Sequence, residues 1–239
     1  MKKPAIETKA NRRGFIEKGL QAGAVAGILG VSFLTGCKEN KEGEDKEVSP
    51  PEDLMQEHGL LNRVLLIYDN CRTQLLDKKN LPADQLYHAA GIIRTFVEDY
   101  HEKQEENYLF PRFEKAGQLT ELVKVLRQQH QAGRNITEQL MSLSKSTIKT
   151  ENENQKIIQL ITRFNTMYRP HEAREDTVLF PAFRKIVSKH EYDSLGEEFE
   201  KNEHTLFGKD GFETMVGKVT AIEKSLGIYE LSQFTPVLI

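Results

Sequence analysis

The residues best equipped for chemistry are histidines and glutamates that recur at fixed spacing. Residues 101–115 read HEKQEENYLFPRFEK and residues 171–185 read HEAREDTVLFPAFRK, identical at eight of fifteen positions. Each copy opens with His-x-x-x-Glu, as His101 with Glu105 and His171 with Glu175. On a helix this spacing puts both side chains on one face, a turn apart. A further His stands upstream of each pair: His58 lies 43 residues before His101, and His130 lies 41 before His171. Four imidazoles and two carboxylates form a ligand set suited by donor type to iron, zinc, manganese or nickel. Six ligands exceed one tetrahedral zinc site, so the stoichiometry favours two ions. Glu105 and Glu175, one per half, are then the natural bridges. The pattern is neither the zinc protease His-Glu-x-x-His nor the Glu-x-x-His of ferritin-like di-iron bundles.

Blander readings exist for each residue alone. A lone inward His is ordinarily a hydrogen-bonded core residue, and a single His-x-x-x-Glu is common on solvated faces. Two copies on apolar seams are different, because an uncompensated carboxylate there is costly and two facing carboxylates repel. A pair of divalent ions removes both costs. Glu102 and Glu172 also repeat, about 100° around the helix from their His. They are either acceptors for a ligand's free ring N–H or solvated, and the angle favours solvent. His204, in FEKNEHTLFG, either caps the site from the side or lies on the surface. His88 and His190 have no inward company and are bystanders. Tyr68, Phe96, Tyr100, Phe164 and Tyr168 either wall a ligand pocket or belong to the core.

The elements that position these groups read as successive amphipathic helices, with apolar residues alternating three and four apart. Helix one covers about 52–78, with Leu54, His58, Leu61, Leu65 and Tyr68 inward. Helix two begins after Pro82, a good first-turn residue, and carries Leu86, Ala90, Ile93, Val97, His101 and Glu105. Helix three covers about 118–147, with Leu119, Leu122, Leu126, His130, Gly133, Thr137 and Leu140 inward. Helix four covers about 151–178, through Ile157, Ile161, Phe164, Tyr168, His171, Glu175 and Val178. Pro170 inside it is expected to kink it, and Leu-Phe-Pro is expected to end or bend helices two and four. Two more helices follow, at about 189–206 and 210–226. The expected fold is all-α: an antiparallel four-helix bundle of two duplicated hairpins. The bundle spans 54–187, with C-terminal helices of 188–239 packed on it.

The 239-residue chain is long enough for a sizeable core, and its two cysteines exclude a disulfide-stapled scaffold. The formal charge of -3 argues against a nucleic-acid-binding face. That figure divides: residues 1–36 hold six basic and two acidic side chains, the remainder 27 and 34. The basic segment precedes a Gly/Ala-rich apolar stretch of 16 residues, Gly19 to Leu34, shorter than the roughly 20 that span a bilayer. This describes an export signal over 1–36. Asn11 to Lys18, with Arg12, Arg13 and Phe15, resembles the twin-arginine motif, and Leu34-Thr35-Gly36-Cys37 resembles a bacterial lipobox. Residues 37–53 then form a flexible tether with lipidated Cys37, and the body lies outside the cytoplasm, at the periplasmic or extracytoplasmic face of a membrane. The alternative is an uncleaved N-terminal anchor.

The order His58, His101-x-x-x-Glu105, His130, His171-x-x-x-Glu175 resembles the hemerythrin-like (HHE cation-binding) domain over about 54–210. The resemblance implies a four-helix bundle holding two iron ions in an oxo- or hydroxo-bridged centre. Glu105 and Glu175 would bridge them and the His would be terminal ligands. It also implies a fifth His, for which His204 is the candidate. The sequence departs from invertebrate oxygen carriers, which take two His from one helix and end with an Asp, and its spacing is similar to bacterial proteins that repair damaged iron centres. The favoured expectation is a membrane-tethered binding protein for O2, NO or peroxide, without turnover. The alternatives are a redox-active enzyme or iron donor for peroxide or NO detoxification or iron-centre repair, and a module whose metal only staples the bundle.

Overall fold

A computed structural model describes residues 49–236. The segment 1–36 expected to be an export signal, Cys37 and most of the expected tether lie outside the described residues. Ser49 opens the first helix with a capping box: its hydroxyl accepts from the Glu52 N–H, and its own N–H donates to the Glu52 carboxylate at 3.1 Å. Two otherwise orphaned N–H groups are thereby satisfied. Helix α1 runs Pro50–Leu76, so residues 50–53 belong to it and not to the expected tether.

The second rod, α2 (83–116), is an unbroken succession of Ala83–Ile92, Ile93–His101, Glu102–Gln104, Glu105–Leu109 and Phe110–Ala116. Ile93–His101 and Glu105–Leu109 are wide π turns. Gly117 ends the rod in the left-handed region at φ 63°, where a side chain would be strained. Helix α3 is Thr120–Ser144. The fourth rod, α4 (151–186), joins Glu151–Arg174, the π turn Glu175–Leu179 and Phe180–Ile186, and a Thr150/Glu153 capping box opens it. Helices α5, Lys189–Phe207, and α6, Gly211–Leu226, complete the fold. No strand occurs among the described residues, and none of their helices is long and apolar enough to cross a membrane.

Of the two outcomes expected at Leu-Phe-Pro, an end or a bend, the end does not occur in α2 or α4. Proline lacks an N–H, and its ring crowds the carbonyl four residues back. Both rods meet this with a π turn just before the proline, in which the Phe110 and Phe180 N–H groups reach the Glu105 and Glu175 carbonyls five residues back. The wider turn shifts the helical phase of the neighbouring residues. Val178, expected inward, is therefore 38% exposed, while Leu179 is buried. Pro170 sits inside Glu151–Arg174 without ending the helix.

Helix α1 packs on α2 and α4, and α3 packs on the same two, closing a four-rod ring that α5 and α6 flank along α1 and α2. One apolar cluster joins Leu54 at the start of α1, Leu109, Phe110 and Phe113 late in α2, Val123 and Leu126 early in α3, and Leu179, Phe180 and Phe183 late in α4. Starts meet ends, so the rods are antiparallel. Phe113 and Phe183, the same position of the repeat, face each other at 6.0 Å between ring centroids. The second cluster holds the remainder of α1 from Leu60, the first part of α2 to Tyr100, Leu140 of α3, and α4 from Ile157 to Tyr168. Each such Phe or Leu contributes roughly 1.5–3 kcal/mol by burial. His58, His101, His130 and His171 fall between the two clusters, in a polar layer across the bundle.

Candidate metal centre

Four helices each deliver one imidazole to this layer, and α2 and α4 add a carboxylate apiece. Glu105, Glu175 and His130 have no exposed surface, and His58, His101 and His171 have 2–4%. The Nε2 atoms of His58 and His101 are 3.1 Å apart, about the separation of neighbouring nitrogens on one ion with bonds near 2.1 Å. His58 Nε2 lies 3.4 Å from a Glu175 oxygen and His101 Nε2 4.0 Å from Glu105. Across the layer, His130 Nε2 is 3.4 Å from Glu105, and His171 Nε2 is 3.1 Å from Glu175. Two donor groups result, His58/His101/Glu105 and Glu105/His130/His171/Glu175, with ligand atoms within 4.8 Å of one another in each. Glu105 belongs to both, and Glu175 touches a His of each pair. The carboxylates thus stand between two His pairs, termed position I (His58, His101) and position II (His130, His171).

The donor set fits cations on an independent ground. Both carboxylate oxygens of Glu105, both of Glu175, and His130 Nε2 are buried without a hydrogen-bond partner. An unsatisfied buried group costs about 1–3 kcal/mol, so three in one layer, two of them carboxyls, fit a shared partner of positive charge. Burial and the charge of Glu175 push the Glu105 carboxyl well above its ordinary range. Burial acts the same way on Glu175, but His171 and His58 outweigh it and hold Glu175 well below that range. Burial pulls His58 down, yet its hydrogen bond to Asp176 and the nearby charge of Glu175 prevail and raise it to about 10. Burial lowers His130 to about 4 against the pull of Glu106, and lowers His101 against that of Glu57. A cation bound in this layer would compete with protons for the same donor atoms.

Every ring is also held from behind. His58 Nδ1 is 2.7 Å from Asp176, His101 Nδ1 2.7 Å from Glu57, His130 Nδ1 3.1 Å from Glu106, and His171 Nδ1 2.9 Å from the Gln129 side-chain oxygen. Nδ1–H donation to these acceptors fixes the tautomer that turns Nε2 inward. None of the four acceptors was singled out by sequence. The available signal was adjacency, since each is the chain neighbour of a different ligand: Glu57 of His58, Glu106 of Glu105, Gln129 of His130, Asp176 of Glu175.

Glu102 and Glu172, expected to be solvated, are 1% and 3% exposed. Glu102 accepts from the Tyr168 hydroxyl at 2.7 Å and pairs with Arg134 at 2.6 Å, and Glu172 accepts from the Asn62 amide. Helices α1 and α3 close on α2 and α4 from both sides, so a position 100° from the seam is still interior. Burial raises both carboxyls to about 8, against Arg134 and Tyr168 at Glu102 and against His58 at Glu172. His204 corrects the expectation of a fifth His ligand: it is exposed and joins none of the converging donor groups among the described residues. It lines a shallow surface depression with Glu197, Glu200, Lys201 and Thr205, because the buried stripe of α5 runs through Tyr192, Leu195, Phe199 and Glu203. His88 and His190 are exposed too. Tyr68, Phe96, Tyr100, Phe164 and Tyr168 all belong to the apolar cluster beside the layer.

Fold and site together describe an all-helical protein with a His and Glu cluster that could hold cations inside a four-helix bundle. A family model described as the Hemerythrin HHE cation binding domain matches residues 49–183, and the chain belongs to that family. It is 42% identical over 234 residues to the protein Mb2018 of Mycobacterium bovis, covering 94% of this chain and 91% of the relative. The proteins MT2051 and Rv1995 of Mycobacterium tuberculosis match it with the same identity and coverage. No solved structure matches the chain.

Proposed function

We propose that the protein holds two iron ions between its halves and binds a small ligand there, O2 or a relative such as NO or peroxide. The observation that carries this reading is the sharing of Glu105 and Glu175 by two His pairs. Iron bound there supplies an open coordination position and one-electron redox change. The chain's own residues do the rest. His58, His101, His130 and His171 would hold the ions from four helices, and Glu105 and Glu175 would stand between the two. The apolar clusters on either side exclude bulk water, and the Nδ1 acceptors keep each Nε2 aimed inward. Tyr168 keeps its proton directed at Glu102 Oε1 beside the layer. Metal analysis of the purified chain with optical spectra before and after dithionite tests the reading. Two irons per chain with a reducible charge-transfer band are expected; a single zinc refutes it. Full recovery of the spectrum when O2 is removed marks carriage, and steady-state consumption of peroxide or NO, abolished in Glu105→Ala, marks turnover instead.

The signal over 1–36 and the lipobox at Leu34 to Cys37 support export, with the body tethered to a membrane through a lipid on Cys37. Palmitate labelling of cells expressing the chain is expected to vanish in Cys37→Ala; labelling that persists refutes the anchor.

A further inference from the structure

The pseudo-twofold symmetry of the site extends to the groups behind the ligands, and the charges of those groups break it in one direction. Pairing the halves sets His58 against His130, His101 against His171, and Asp176 against Glu106. It also sets Glu57 against Gln129 and Asn62 against Arg134. At position I both rings lean on carboxylates at 2.7 Å, Asp176 and Glu57. At position II one ring leans on the neutral amide of Gln129. The other meets Glu106 at 3.1 Å, and that carboxylate is also engaged by Arg134 at 2.7 Å and Lys103 at 2.6 Å. Four residues after His58 stands the uncharged Asn62, bonded to Glu172, whereas four residues after His130 stands Arg134, paired with Glu102. A carboxylate behind an imidazole polarises its N–H and makes the opposite nitrogen a stronger donor. A guanidinium beside a cation site opposes occupancy in a low-dielectric interior.

We infer that the two metal positions are unequal, with His58/His101 the tighter one, and that Glu57 and Gln129 are the positioning residues that set the difference. The inference rests on the two-metal reading above. Its test is a titration of the metal-free full chain with Co²⁺ in competition with a chelator, read from the visible bands of the bound ion. Two steps are expected, differing by about tenfold or more, the scale that groups behind metal-bound His command. His101→Ala removes the tight step and His171→Ala the weak one. Glu57→Gln weakens the tight step, and Gln129→Glu strengthens the weak one. The last is a gain in affinity that a misfolded variant would not give, and circular dichroism melting of each variant accompanies the titration. Two cobalt ions bound with both constants unchanged in Glu57→Gln and Gln129→Glu overturns the inference and leaves the two-metal reading standing. Loss of the weak step in His101→Ala does the same. A wild-type chain that takes up one cobalt ion or none overturns both.

Discussion

Gly133 is the position where a single methyl group tests the packing around the centre. It is buried within α3, and a Cβ built there overlaps the Tyr168 hydroxyl outright and stands 2.9 and 3.0 Å from two of its ring carbons. That hydroxyl donates to Glu102 at 2.7 Å, with Glu102 1% exposed. Gly133→Ala must therefore displace Tyr168 and strand both polar partners. Overpacking costs about 1–3 kcal/mol and a stranded buried group about 1–3 kcal/mol, offset by roughly 1 kcal/mol of helix propensity gained. The net loss is about 1–5 kcal/mol, and at its centre of about 3 kcal/mol the melting temperature falls by roughly 6–12 °C for a chain of this size. Tyr168→Phe alone should cost about 1–2 kcal/mol for the lost hydrogen bond to a carboxyl. In that background the new methyl meets only ring carbons, which need move a few tenths of an ångström, so the double variant should be more stable than the single losses predict. Urea unfolding of the four chains gives the coupling directly, expected at about 1–2 kcal/mol. Additive losses, or a Gly133→Ala chain as stable as wild type, would refute the claim that the glycine exists to admit the tyrosine.

His204→Ala should leave the metal content at the wild-type stoichiometry, measured by elemental analysis, because the residue is exposed and outside the donor groups. His58 is raised from 6.5 to about 10 in the metal-free fold, burial being outweighed by Asp176 and Glu175. Its stabilising contribution is thus complete below about pH 6.5 and is lost as pH climbs through about 10, a decline that urea titrations of the metal-free chain should follow. The same sign makes metal affinity rise with pH over that window, with proton release visible by calorimetry in two buffers of different ionisation enthalpy. Cys71 is fully buried, and burial pushes its thiol up to about 12. It should resist a thiol reagent at pH 8 in the folded chain and react at once in denaturant.

What could be read along the chain was whatever a single helix decides. The 3.6-residue period put His101 with Glu105 and His171 with Glu175 on shared faces, and the duplication carried the same logic to His58 and His130. These six residues do meet in one buried layer. The helix count, boundaries at about 78, 82, 118 and 151 that fall within two residues of the observed 76, 83, 120 and 151, and the two C-terminal helices came from period and punctuation, because those signals are local. Everything that crosses between helices was settled by tertiary structure. The Nδ1 acceptors lie 24 to 118 residues from the rings they hold, a pairing that no spacing along one helix encodes. Burial of Glu102 and Glu172 depends on helices closing from both sides, beyond the reach of an angle measured on one. The π turns before Pro111 and Pro181 rephase α2 and α4 and put Val178 outside, because the strain of a proline is relieved in the turn before it. The stripe that α5 turns inward leaves His204 in solvent. Sequence determined which residues could be ligands, since ligand type and helical phase are local properties. Only the fold decided which rings come together and what stands behind each, since those contacts form when separate helices meet.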